Sequence, residues 1–161
     1  MSILVLGLGN SILTDDGFGV RAVNTLSSRY HFQGEVTLVD GGTLGLDLLP
    51  YLEGVESLLI IDALNMRKEP GRIFRLEGEE VPRAFASKLS VHQMGLQDLL
   101  AVAELQGHVP SRLVVWGVQP ESIEMGTVLT KAVESAVVPV VQNVLDELRA
   151  WGVTFTARGI T

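Results

Sequence analysis

What most constrains this chain is a series of short apolar runs, each followed by a polar residue. Ile3-Leu4-Val5-Leu6 comes first, then Val36-Thr37-Leu38-Val39 before Asp40, Ser57-Leu58-Leu59-Ile60-Ile61 before Asp62, and Leu113-Val114-Val115-Trp116-Gly117-Val118 before Gln119. Short runs rich in branched aliphatics read as strands buried on both faces. Between them lie segments of helical period: Gly17 to Arg29, with Val20, Val23 and Leu26 spaced by about three; Thr43 to Leu52; Gly95 to Leu105; and Thr127 to Arg149. The last of these is expected to be one long amphipathic helix kinked at Pro139. This alternation predicts an α/β sheet with helices on both faces. Pro70-Gly71 turns the chain into Arg72 to Leu76, whose alternating pattern suits an edge strand that can run antiparallel. The tail after Trp151 lacks periodicity and is expected to be loosely held.

A length of 161 residues suits one domain spanning 1–161. With 47% apolar and 19% charged residues, the chain has the composition of a folded protein with a sizeable core. Its net charge of −7 has the wrong sign for a protein that neutralises phosphates, so neither nucleic acid nor an anionic membrane is an expected partner. With no cysteine, there can be no disulfide, thiolate metal site or cysteine nucleophile. The N-terminus has the pattern of a strand rather than an export signal, and every apolar run is interrupted well short of a membrane span. A cytoplasmic location is the corresponding expectation.

In open α/β sheets ligands bind outside the carboxyl ends of the strands. Polar groups stand at each of those ends: Asn10, Thr14, Asp15 and Asp16 after the first strand, Asp40 and Thr43 after the second, Asp62 and Asn65 after the third, and Gln119 after the fifth. Gly7-Leu8-Gly9 invites comparison with a dinucleotide fingerprint, but position 12, where its third glycine would fall, is Ile. Gly9-Asn10-Ser11-Ile12-Leu13 likewise lacks the closing glycine of a nucleophile elbow.

Asp15 and Asp16 open the first helix, and capping with dipole complementation accounts for one of the two. Asp62 is harder to explain structurally, because a carboxylate directly after Leu58 to Ile61 is costly to bury without a partner. Of three histidines, His31 reads as a dipole partner at a helix end and His108 as an exposed turn residue. His92 precedes the helix that feeds the fifth strand, so it belongs to the same sheet edge as the carboxylates; it fits either an N-terminal structural role or metal ligation. One imidazole with two carboxylates can hold zinc, nickel, iron or manganese.

Several ordered motifs carry a resemblance over nearly the whole chain. They are Ile3 to Asn10 with Leu13 to Arg21, Asp40-Gly41-Gly42-Thr43, Ile61-Asp62-Ala63, Glu80-Val81-Pro82, Ser90 to Gly95, and Gly117 to Ser122. In these the chain resembles the nickel-iron hydrogenase maturation endopeptidases, the hydrogenase maturation protease family. The resemblance implies a three-layer α/β/α sandwich with a five-stranded mixed sheet, order 2-1-3-5-4, strand 4 antiparallel. It places the family's metal ligands on Asp16, Asp62 and His92, with Glu in some members where Asp16 stands here.

It further implies an endopeptidase that removes a C-terminal extension from the hydrogenase large-subunit precursor after nickel insertion, recognising nickel that the precursor carries. The same three residues, Asp62, Asp16 and His92, are the expected catalytic set; either carboxylate can serve as general base, with Asp62 favoured, and the free protein is expected to hold little metal and to be a monomer. Asp15 is then left with the capping role, so that Asp15→Asn should cost at most about 1 kcal/mol. A peptidyl-tRNA hydrolase also resembles the opening strand and Gly-x-Gly-Asn turn, but that family continues with Pro-Gly and Thr-Arg-His-Asn segments missing here. A nickel-binding chaperone without catalysis is the non-enzymatic alternative.

Overall fold

A computed structural model describes residues 2–86 and 96–159. Strand β1 (Ile3–Leu8) leads through a 3-10 turn (Thr14–Gly17) into helix α1 (Phe18–Arg29), followed by β2 (Tyr30–Phe32) and β3 (Val36–Gly42). A second 3-10 turn (Gly45–Leu48) precedes the short α2 (Leu49–Leu52), then come β4 (Ser57–Ala63), β5 (Ile73–Glu77), α3 (Glu80–Phe85) and α4 (Leu96–Leu105). The chain closes with β6 (Arg112–Val118), α5 (Lys131–Glu134), α6 (Val137–Ala150) and β7 (Phe155–Ala157).

Five strands form one sheet in the order β3-β1-β4-β6-β5. The first four run parallel, and β5 pairs antiparallel with β6. This is the expected mixed sheet and strand order; only the numbering shifts, because β2 lies outside it. Every residue of the central β4 is buried, as a strand covered by helices on both faces requires.

Successive side chains of β1 and β4 enter opposite cores. Ile3, Val5, Leu59 and Ile61 pack with residues of α1 and α6, while Leu4, Leu6, Leu58 and Ile60 pack with residues of α2, α3 and α4. Each such side chain contributes about 1.5–3 kcal/mol of burial. A one-residue slip of either strand would exchange the two sets, so the register is strongly specified. In that register Gly7 stands beside both Asp40 and Ile61, and Asp62 stands beside Gly117, which brings the turns after β1, β3, β4 and β6 to one edge.

Two expectations are corrected. The segment from Thr127 is not helical until Lys131, and the helical stretch is divided between α5 and α6 at Ser135 and Ala136 rather than bent at Pro139. Pro139 has no N–H to return to the Ser135 carbonyl, so it sits in the first turn of a new helix, where that donor is not needed. The Ser135 hydroxyl donates to the Lys131 carbonyl at 2.9 Å.

The tail is ordered by pairing. Residues 155–157 run antiparallel to Tyr30–Phe32, with the rings of Tyr30 and Phe155 meeting edge to face at 5.8 Å. His31 therefore belongs to a strand, opposite Thr156, and not to the end of α1. His108 is half-buried in the turn that follows α4, where its backbone N–H donates to the Ala103 carbonyl at 2.8 Å.

Candidate active site

The approach of α1 to the sheet decides where the carboxylates fall. A Cβ on Gly19 would lie 2.1 Å from the Ile61 carbonyl oxygen and 2.4 Å from that of Leu8, so the helix start can press against β1 and β4 only as glycine. The chain must therefore turn between Leu8 and Gly17 directly over the strand ends. Gly9 makes this turn with φ +122, and a Cβ there would lie 1.8 Å from the Asp16 carbonyl oxygen and 3.3 Å from Asp62 Oδ1. Asp16 and Asp62 thus flank one glycine at the carboxyl edge of the sheet.

Asp16 is half-buried in the 3-10 turn, and its Oδ2 accepts a hydrogen bond from the Asn10 N–H at 2.8 Å. The Asn10 side chain shapes the same turn, its Oδ1 accepting from the Ile12 N–H at 3.1 Å. Asp62 is the last residue but one of β4, with 1% exposure, and its Oδ1 accepts from the Ala63 N–H at 2.8 Å. Both carboxylates stand at this edge over a floor made of backbone, that of Asp16 on the N–H of the residue after Gly9 and Oδ1 of Asp62 beside Gly9 itself. The expected third member, His92, lies outside the described residues. Among the described residues no three His, Asp or Glu side chains gather in the manner of a metal site.

Asp15 is not a helix cap, and its expected role is corrected. Neither the 3-10 turn nor α1 has a side-chain cap. Asp15 is instead fully buried and binds the segment before α5. Its Oδ2 accepts from the N–H groups of Glu121 (2.9 Å) and Ser122 (3.0 Å) and from the Thr130 hydroxyl (2.8 Å), while Oδ1 accepts from the Thr130 N–H at 2.8 Å. Burial alone would push this carboxyl up, but the bonds from Ser122, Thr130 and Glu121 outweigh it and hold the group below the usual carboxylate range. Local sequence pattern misses this anchoring role, since its partners lie more than a hundred residues away.

Gln119 and Asn65, two other polar residues at strand ends, are engaged in loop packing. Gln119 Oε1 accepts from the N–H groups of Met66 and Lys68 at 2.7 and 3.1 Å, and its Nε2 donates to Asn65 Oδ1 at 3.1 Å. They hold the loop after β4 as one wall of an open groove of about 500 Å³, whose other wall includes Glu80 and Arg83 of α3.

The family model for hydrogenase maturation proteases (HycI) matches residues 20–147. The Escherichia coli hydrogenase 2 maturation protease is 44% identical over 154 residues, covering 95% of this chain and 94% of its own. The Bradyrhizobium diazoefficiens hydrogenase expression/formation protein HupD is 43% identical over 158 residues, covering 97% and 82% respectively. Among solved structures, the hydrogenase maturating endopeptidase HybD from E. coli superposes with a TM-score of 0.92 at 42% identity, over 98% of both chains. The [NiFe] hydrogenase maturation protease HybD of Thermococcus kodakarensis does so with a TM-score of 0.71 at 27% identity, over 92% of this chain and 99% of that one. An α/β protein with paired acidic groups at the carboxyl edge of its sheet is thereby placed in a class. This chain belongs to the hydrogenase maturation protease family.

Proposed function

We propose that this protein cuts the C-terminal extension from the large-subunit precursor of a nickel-iron hydrogenase once nickel is in place, and that nickel held by the precursor is its recognition signal. The observation that supports this reading is that the carboxylates of Asp16 and Asp62 both stand beside the Gly9-Asn10 turn at the carboxyl edge of the sheet, Asp16 on the Asn10 N–H and Asp62 Oδ1 next to Gly9. Two oxygen ligands, joined by His92, form a borderline-to-hard donor set that can complete the coordination of a metal without withdrawing it from softer ligands. The chain has no cysteine, so it offers no thiolate to compete for that metal. A protein that senses a metal in its substrate benefits from both properties.

Asp16 is the positioned ligand, steadied by the Asn10 N–H. Asp62, recessed and backed by the Ala63 N–H, takes the proton from the attacking water and returns it to the leaving amine. The chemistry that precursor-bound nickel supplies is polarisation of the scissile carbonyl or of the water. Among the described residues no helix is long and apolar enough to cross a membrane.

The test is incubation of purified protein with nickel-loaded and nickel-free precursor, followed by mass spectrometry of the large subunit. Cleavage of the loaded form alone is the expected result. Equal cleavage of both would remove nickel from the reading, and tight binding without cleavage would favour the chaperone alternative.

A further inference from the structure

Three turns meet around the Asp16–Asp62 floor and expose large apolar side chains. The turn after β1 presents Ile12 (51% exposed), the turn after β3 presents Leu44 and Leu46, and the segment before α5 presents Ile123, Met125 (85%) and Val128 (77%). The segments that carry them are linked through their backbones. The Gly9 N–H donates to the Gly42 carbonyl at 3.0 Å, the Gly126 N–H donates to the Ile12 carbonyl at 3.0 Å, and Leu13 bridges Gly126. Single exposed hydrophobics are ordinary, whereas a group of six around a candidate active site marks a contact surface.

This rim is also built to hold its shape. Asp15, with four hydrogen bonds, ties residues 121, 122 and 130 to the turn that carries Asp16. The Thr14 hydroxyl donates to the Glu124 carbonyl, and the Thr14 N–H to the Gly126 carbonyl at 2.8 Å. A segment with so little regular structure stays fixed because a buried carboxylate organises it, so its apolar tips are held ready for a partner.

Charge identifies that partner's chemistry. Residues 9–16, 40–53 and 119–130 contain no Lys, Arg or His, although the chain has 12 Lys and Arg in all. Asp47, Glu121 and Glu124 are exposed on these segments with no ion-pair partner among the described residues. Of the cations that border these segments, Arg21 is occupied by Glu134 at 2.8 Å, Lys131 stands at the start of α5, and Arg67, Lys68 and Arg72 lie on the loop after β4, on the side that Gln119 holds.

We propose that this apolar, acidic rim docks the folded body of the precursor through a face that is apolar at its centre and bordered by lysine and arginine. The proposal rests on the processing function above and deepens it. The recessed floor reads the metal centre and the scissile segment, while the rim recognises the folded protein that presents them. Opposite charge at the border steers the encounter, and the apolar tips supply the desolvated centre.

The experiment measures cleavage and binding of nickel-loaded, full-length precursor in parallel. It compares wild type, the double variant Met125→Ser/Val128→Ser, and Glu124→Lys, each at about 50 and about 400 mM salt. These side chains are exposed, and the melting temperatures should match wild type. We expect KM to rise about tenfold in the double variant with kcat unchanged. Glu124→Lys should raise KM severalfold at low salt and flatten the salt dependence seen in wild type.

Cleavage by wild type with KM and affinity of both variants within about twofold of it would overturn the docking face alone. Binding without cleavage by wild type, weakened in the variants, would overturn the protease reading and leave the face standing. Failure of wild type to bind or cut would overturn both. A wild-type dimer that the variants abolish would reassign the rim to self-association and overturn the proposal.

Discussion

Replacing Asp15 by Asn changes one oxygen to an amino group in a site with no solvent. Three donors converge on Oδ2 and one on Oδ1, all between 2.8 and 3.0 Å. The amide oxygen best takes the Oδ2 position, which turns its NH2 toward the Thr130 N–H. Two donors then face each other, and a buried N–H loses its acceptor at a cost of about 1–3 kcal/mol. The three remaining bonds lose the assistance of charge, which roughly doubles the strength of such bonds, while the lower cost of burying a neutral group offsets part of the loss.

The net destabilisation should be about 3 kcal/mol, and for a chain of this size roughly 6–12 °C in Tm. The capping role expected from sequence allowed only about 1 kcal/mol. The pH dependence gives a second signature. The folded-state pKa of Asp15 is depressed, so its stabilisation is complete above the unfolded value of about 3.9 and is lost as pH falls through the folded value. The Tm gap between wild type and Asp15→Asn should thus be widest near neutrality and narrow below about pH 4. Scanning calorimetry across pH decides the matter. A variant melting within about 1 °C of wild type at pH 7, or a gap that stays constant into acid, would refute the anchoring argument.

Gly9→Ala would place a methyl group 1.8 Å from the Asp16 carbonyl at a positive φ, and loss of at least about 3 kcal/mol is expected, read by urea denaturation. Asp16→Asn keeps an acceptor for the Asn10 N–H, so it should melt within a few degrees of wild type yet lose processing of nickel-loaded precursor, as should His92→Ala in the same assay. Activity retained by Asp16→Asn and abolished without unfolding in Asp15→Asn would exchange the roles of the two neighbours. Elemental analysis of the purified free protein after dialysis against a mild chelator should find well under one nickel per chain, since the metal is expected to arrive with the precursor. Stoichiometric retained nickel would make it a resident cofactor.

Much of the sheet was readable from local pattern. Ser57 to Ile61 has to be a central strand because no polar position interrupts it, and Arg72 to Leu76 alternates as an edge strand does. The position of Asp62 follows from the same reasoning, as the first charged residue after the apolar run of a buried strand whose carboxyl end lies at the ligand-binding edge. Asp16 against Asp15 was not readable from pattern, because adjacent residues of one type carry the same propensity and the same charge. The helix start was misplaced for a related reason. Val128 and Leu129 continue an apolar periodicity, yet Thr130 has committed its N–H and hydroxyl to Asp15, and the helix begins only after it.

The sequence by itself thus determined which segments are buried and in what period, and with that the layered α/β architecture and the edge at which acidic residues collect. Burial is encoded every second or every third to fourth residue, within reach of a short window. Tertiary structure alone decided that Asp15 serves residues 121, 122 and 130, that Gly9 lets Asp16 and Asp62 approach a common point, and that the tail closes on Tyr30–Phe32. Each of these is a match between donors, acceptors or surfaces far apart in the chain. Such a match exists only once the strands have set the distances between them.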